Sequence, residues 1–421
     1  MCFRYEALVM HRLALLALFA LLLPPLLLAE VAPEQTGVIA TLPQPPRPHW
    51  VWIADPVLQR TALLDLDENR FLGMVNGGYG LPMPLFARTR PELYMPATYY
   101  SRGTHGTRTD VVEFYDTETL ALRGEVEIPN KRATNAFSIG HAALTDDDRF
   151  AAIFNWTTGT SLSIVDVVAR RFTGEIALPG CSLVFAAGPR RLFSLCGDGA
   201  LFTVTLDDEG REASRATSAP FFDATRDPVM EKGVRLGDQW LFVSFAGRIH
   251  SVDASGAVPV FGDPWSIVSD ADRAESWRPG GNQPLAVHGG SGRLYVLMHR
   301  GGPDTHKDPG EEVWIFDVAA RRRIARVPLV NPGITIYGFP LRPGAGWPAP
   351  IAALSDWAMD ALTPAMVGFI EVTQDDQPLL VTASQFSGSL GVYDARSGAF
   401  LRRVGPTGWT SDVLQAPWGG R

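Results

Sequence analysis

The chain has 421 residues, 19% of them charged, with 41 glycines, 33 prolines and a formal net charge of −8. An acidic chain is a poor partner for nucleic acid or for an anionic membrane surface. Many short apolar runs punctuated by Gly and Pro, with no long helical period, exclude a helical bundle and predict an all-β protein.

In chain order, Arg12 precedes an unbroken apolar stretch at residues 13–28, which contains Pro24 and Pro25 and ends at Ala29. A positive flank, a short apolar core and a small residue before polar sequence make a cleaved secretion signal, so residues 1–29 are expected to be lost on export. An uncleaved anchor is the alternative, although 16 apolar residues with two prolines are short for a membrane span. Met10 is a second candidate start. Residues 30–49 are proline-rich and are expected to form an extended arm.

From residue 50 onward one pattern repeats seven times: a hydrophobic strand runs into an aspartate, a polar turn and a second strand. The aspartates are Asp65, Asp116, Asp166, Asp207, Asp253, Asp317 and Asp394, at intervals of 51, 50, 41, 46, 64 and 77 residues. Most copies follow an apolar strand of their own, such as ELYMPATYY, RFAAIFNW, RLFSLCGDG and RLYVLMH. A four-stranded unit of roughly 40–50 residues, repeated, predicts a β-propeller, and seven copies predict seven blades. A carboxylate at a strand end accepts backbone N–H bonds in the following turn, so the aspartates read as turn formers and not as catalysts.

The long fifth interval accommodates a loop at residues 299–310, and the sixth an insertion at residues 331–365, rich in proline and carrying Trp347 and Trp357. No strand-then-aspartate copy falls within the insertion. It is therefore expected to be a large surface loop before the last blade, with an eighth blade as the alternative.

Cys2 leaves with the signal, and Cys181 and Cys196 remain in an oxidising compartment. They flank a predicted hairpin with AAGPRR as its turn, where cross-strand partners reach disulfide distance. A disulfide is expected; two thiols that merely pack are the alternative.

The chain holds no phosphate-binding loop, nucleophile elbow or HExxH motif. No catalytic, cofactor-binding or metal-binding residue is expected in this chain. His299 and His306 share a loop, but a hydrogen-bonded pair is a better reading than a metal pair. Asp375 and Asp376 sit in a turn, which accounts for them. Two segments suit a binding surface. Residues 99–115 place Arg102, His105, Arg108 and Asp110 on a Gly-rich loop. The WRPGG turn at residues 277–281 offers Trp277 and Arg278, aromatic and Arg side chains being common interface anchors. The competing reading has Trp277 capping a blade and Arg278 pairing with an acid.

The segments SRGTHGTRTDVVEFYD, GCSLVFAAG with LFSLCGDGAL, DPWSIVSDADRAESWRPGGNQPLAVHGGSGRLYVLMH and THKDPGEEVWIFD resemble the heavy chain of the quinoprotein amine dehydrogenases. The THK loop and CGDG look closer to the aromatic amine branch than to the methylamine branch. The resemblance runs from about residue 51 to 326 and resumes near 370. It implies a seven-bladed propeller and a disulfide between Cys181 and Cys196. It also implies a cofactor, tryptophan tryptophylquinone, carried by a separate light chain. Two heavy and two light chains would assemble in the periplasm. They would oxidise primary amines to aldehyde and ammonia and pass electrons to a blue-copper protein such as azurin or amicyanin. Arg102, His105, Arg108, Asp110, Trp277, Arg278, His306 and Lys307 are the light-chain interface candidates. There are departures: the 331–365 insertion is foreign to the pattern, and DPVLQRTALLDLD lacks the family's first-blade aromatic near the substrate channel. A stand-alone secreted propeller that binds a ligand or protein without a light chain is the rival reading.

Overall fold

The structure is a computed structural model that describes residues 41–418 except 135–137, 334, 337–338, 341–347, 349, 352–353, 355–362 and 386. The expected secretion signal and the first part of the arm lie outside the described residues. So does most of the 331–365 segment. Within that segment, Thr335–Ile336 pairs with Phe339–Pro340 as a separate two-stranded sheet.

Seven four-stranded antiparallel blades form the propeller. Counting strands a to d outward, blade 2 is Leu85–Phe86, Glu92–Tyr100, Arg108–Asp116 and Leu122–Ile128. Blade 3 is Ala142–Leu144, Phe150–Asn155, Ser161–Asp166 and Arg171–Ala177. Blade 4 is Cys181–Gly188, Arg191–Cys196, Leu201–Leu206 and Glu212–Thr217. Blade 5 begins with Val234–Leu236, Gln239–Val243 and Arg248–Asp253; its outer position is split between Val260–Phe261 and Trp265–Ser266. In blade 6, Leu285–His288 and Trp277–Pro279 both pair with Arg293–Arg300, followed by Glu312–Asp317 and Arg322–Pro328. Blade 7 is Phe369–Val372, Leu379–Ala383, Leu390–Asp394 and Phe400–Val404.

Blade 1 closes the ring. Its strand a is the C-terminal Asp412–Gln415, paired to Trp50–Asp55 in the register Trp52 to Gln415 and Ile53 to Leu414; Arg60–Asp65 and Arg70–Asn76 complete it. Joining the two ends of the chain in one sheet leaves no open edge in the ring.

Burial explains the composition of each strand. Blades stack face to face, so both faces of strands b and c are covered, and Ser161–Asp166 is buried at every position. The outer strands face water on one side, so Glu212–Thr217 (EASRAT) is mostly exposed. Aromatic residues fill the seams. Between blades 4 and 5, Phe185 stacks on Phe193 at 5.1 Å and meets Phe242 edge-on at 5.4 Å.

All seven repeat aspartates form the expected turn. In each c–d turn the aspartate Oδ1 accepts a backbone N–H two or three residues on: Asp67 for Asp65, Glu118 for Asp116, Val168 for Asp166, Glu209 for Asp207, Ser255 for Asp253, Ala320 for Asp317 and Arg396 for Asp394. Cys181 and Cys196 lie directly opposite across the a–b hairpin of blade 4 and are bonded, with Cα atoms 3.9 Å apart.

Candidate functional site

Antiparallel connectivity divides the loops between two faces. The a–b and c–d turns, with the seven aspartates, lie on one face. The b–c loops and the d–a connections lie on the other, called here the loop face. Among the exposed large apolar side chains, Val57, Leu58, Trp156, Met366 and Trp409 stand on the loop face, Val168 and Val258 on the opposite one, and Phe71, Met74, Leu122, Val260, Ile324, Phe400 and Leu401 on the outer strands; the two tryptophans are 60% and 42% exposed. Beside them, a groove of about 600 Å³ runs along the seam between blades 7 and 1, lined by Leu58, Leu64, Phe71, Pro406 and Trp409. Exposed apolar patches of this kind mark interaction surfaces.

The residues singled out from sequence divide sharply. Arg102 and His105 are exposed at the tip of the b–c loop of blade 2, and Lys307 is exposed on the b–c loop of blade 6. His306 is half-buried, its ring stacked on Phe245 at 3.8 Å, and its carbonyl accepts the Gly281 N–H. The blade 6 loop and the WRPGG turn therefore meet, as sequence order alone could not show. Asp110 is fully buried and structural. It accepts bonds from Thr98 Oγ1, from Arg108 at 2.9 and 2.8 Å and from the Arg132 backbone N–H, so neither Asp110 nor the half-buried Arg108 is free to meet a partner.

Trp277 corrects the surface reading most clearly. It is 2% exposed, its Nε1 donates to Glu275, and its ring lies 5.4 Å from Trp314. The guanidinium groups of Arg300 and Arg326 cover it at 4.7 and 4.6 Å. Trp277 is a core residue capping blade 6, because its short strand pairs with the end of Arg293–Arg300 and turns the ring inward. Arg278 beside it is half-buried on the same strand.

His299 and His306 do not converge on a common point. His299 Nε2 pairs with Thr305 Oγ1 at 2.8 Å, whereas His306 faces Phe245, and burial lowers the pKa of both. Asp375 accepts bonds from Thr373 Oγ1 and the Gln377 N–H, as a turn residue should.

The site missed by sequence reasoning is the central channel. A cavity of about 260 Å³ lies between the inner strands, and its polar lining includes Ser138, Lys232, Asn282, Gln283, Glu371 and Gln415. Glu371 stands in the otherwise apolar strand FIEV, and that lone charge was the available signal. Its carboxyl accepts the Val372 N–H at 2.9 Å and a long bond from Gln283 at 3.4 Å. Burial pushes its pKa up to about 8. Lys232 is 6% exposed and burial lowers its pKa; Glu231 Oε1 is 3.7 Å away.

The tryptophans of the core are committed to packing. Trp50 and Trp52 each lie 6.2 Å from Trp418, and Trp277 pairs with Trp314.

Solved structures with the same architecture include the β-propeller domain of Cps50 (Swd1) from Myceliophthora thermophila, with a TM-score of 0.52, 9% identity and coverage of 83% of this chain and 93% of that one. A second is a functionally unknown protein from Desulfotomaculum acetoxidans, with a TM-score of 0.51 and 12% identity over 86% of this chain and 98% of that one. These identities speak for the fold alone. Among curated proteins, the methylamine dehydrogenase heavy chain of Paracoccus versutus is 26% identical over 375 residues, covering 86% of this chain and 78% of the relative. That of Methylophilus methylotrophus is 25% identical over 370 residues, covering 86% and 82%. Both belong to the methylamine branch and lend no support to the aromatic preference. The family described as methylamine dehydrogenase heavy chain matches residues 50–336. The chain belongs to the methylamine dehydrogenase heavy chain family.

Proposed function

We propose that this chain is the heavy subunit of a periplasmic amine dehydrogenase, and that its loop face docks a light chain carrying tryptophan tryptophylquinone. Family membership carries the reading, and the exposed Leu58, Phe71 and Trp409, which line one groove, support it. When bound, the quinone supplies a carbonyl that a primary amine attacks, leading to aldehyde and ammonia. The electrons then pass to a blue-copper protein, and two heavy chains assemble with two light chains.

This chain's contribution is positioning and exclusion of water. The groove at Leu58, Phe71 and Trp409 offers apolar area that a partner buries. Arg102, His105 and Lys307 stand exposed on other loops of the same face, and charges there suit orientation more than affinity. A partner seated there would close the substrate entrance against water and strengthen electrostatic interactions inside.

Within the family, the aromatic preference rests on THK and CGDG. Both segments have local structural roles. Asp198 of CGDG accepts the Ala200 N–H in its turn, and Thr305 of THK braces its loop through His299 and the Gly302 carbonyl. Turnover of phenylethylamine against methylamine by the assembled complex tests the preference. Faster turnover of methylamine would reject the aromatic branch.

The subunit reading is tested by co-expression with the cognate light chain and its maturation machinery, followed by amine-dependent dye reduction. A stable complex that oxidises primary amines is expected. A chain that stays alone would favour the stand-alone propeller.

A further inference from the structure

We propose that the central channel of the propeller is a binding site for a small carboxylate anion, with the buried Lys232 as its counter-ion. The proposal is independent of the light chain and of the amine chemistry.

Lys232 carries the charge of the site. Its side chain is buried and lines the cavity. A buried ammonium is costly unless it is paired and hydrogen-bonded. The nearest acid, Glu231, stands 3.7 Å away with its side chain 44% exposed, too distant and too solvated to offset that cost fully. Lys307 adds positive potential from the neighbouring loop. The unbalanced charge at this end of the cavity is therefore positive, and an anion is the ligand that balances it.

Glu371 supplies the second half. No ion pair within 4 Å joins it to Lys232 or, among the described residues, to any other cation. A carboxyl so placed holds its proton near neutral pH and offers an O–H donor. A neutral acid and an ammonium together present donors to a ligand rich in acceptors. A carboxylate is acceptor-only and accepts at both oxygens. An ammonium ligand would instead face Lys232 as a like charge.

Size and position agree. A water occupies roughly 30 Å³ in the liquid, so a cavity of about 260 Å³ holds an organic acid of a few heavy atoms with space remaining. The walls are otherwise apolar, with Phe86, Ile139, Val234, Leu285 and Val413 around the polar groups. A few placed polar groups in an apolar, largely preformed cavity is the usual composition of a small-ligand site.

The test is calorimetric titration of the full exported chain with sodium acetate and sodium glycolate. Sodium chloride at equal ionic strength and methylammonium chloride serve as comparison ligands. Saturable binding of the acids, and none of methylammonium, is expected. Lys232→Met should weaken acetate binding roughly tenfold or more, the loss expected for one charge-assisted contact. Glu371→Gln keeps a donor and should stay within about threefold of wild type, since the amide N–H replaces the O–H. Should Lys232→Met fail to fold, a crystal of the wild-type chain grown with trichloroacetate, which does not alkylate side chains, decides the matter, with anomalous chlorine peaks expected in the channel beside Lys232. Any of four results would overturn the proposal: no saturable acetate binding, unchanged binding in folded Lys232→Met, preferential binding of methylammonium, or chlorine peaks absent from the channel.

Discussion

The side-chain amide of Gln283 exchanges two hydrogen bonds with the peptide of Leu414: Nε2 donates to the Leu414 carbonyl and Oε1 accepts the Leu414 N–H, both at 2.9 Å. The Gln283 backbone also bonds to blade 7, accepting from Ile370 and donating to Gly368. One residue at the entry to blade 6 thus ties blade 7 and the C-terminal closing strand together across 131 residues of sequence. Replacing it by alanine leaves the Leu414 peptide unpaired in a buried site. Gln283→Ala is expected to lower unfolding free energy by about 2–4 kcal/mol, two buried polar groups being left unsatisfied. Urea midpoints at constant slope measure this; a change under about 0.5 kcal/mol, the surface-mutation range, would show that closure does not depend on the amide.

The disulfide gives a second expectation. Cys181 and Cys196 enclose a short hairpin loop, with a sequence separation of 15. Replacing both by serine should cost about 2–4 kcal/mol, because the unfolded chain regains the freedom of that loop. The same loss should follow when wild type is unfolded under reducing conditions.

Two tryptophans separate stability from docking. Trp277 is buried between Trp314, Arg300 and Arg326, so Trp277→Ala should destabilise the chain by about 3–5 kcal/mol, as for a large core truncation. Trp409 is 42% exposed on the loop face. Trp409→Ala should weaken light-chain binding by about 1–2 kcal/mol if the ring anchors the interface, with a much smaller effect on thermal stability. The reverse ranking in paired melting and binding measurements would place the interface elsewhere.

Asp412 sets a pH dependence. It is 1% exposed beside Asp55, and the Thr410 side chain is too weak a partner to offset that burial. Burial and then the Asp55 charge push its pKa up to about 7. The folded state therefore holds a proton that the unfolded state releases near pH 4. Its folded-state advantage is present below about pH 4 and lost as pH rises toward 7, since the folded state binds more protons in that window. Asp412→Asn should flatten this part of the stability profile and be more stable than wild type at pH 8, by about 1–3 kcal/mol. Unchanged denaturant midpoints between pH 5 and 8 in the two proteins would contradict the assignment.

The seven turn aspartates were legible because their role is local: each carboxylate bonds to backbone two or three residues away, and that chemistry is written in consecutive positions. Cys181 and Cys196 were legible for the same reason, one hairpin containing both. Trp277 was not. WRPGG has the composition of an exposed turn, but its strand pairs with Arg293–Arg300, and the arginines that cover the ring come from residues 300 and 326. Asp110 looked like one member of a polar loop, yet Thr98 and Arg132 draw it inside. The channel was least legible, because Lys232, Gln283, Glu371 and Gln415 come from different blades and meet only when the ring closes.

The measurement that bears most directly on the heavy-subunit reading compares the purified chain alone with the chain co-expressed with its cognate light chain, both assayed for amine-dependent dye reduction and visible quinone absorption. The isolated chain should show neither. The complex, sized as two heavy and two light chains, should show both. Amine oxidation by the isolated chain, or failure of the folded chain to bind its light chain, would contradict the account.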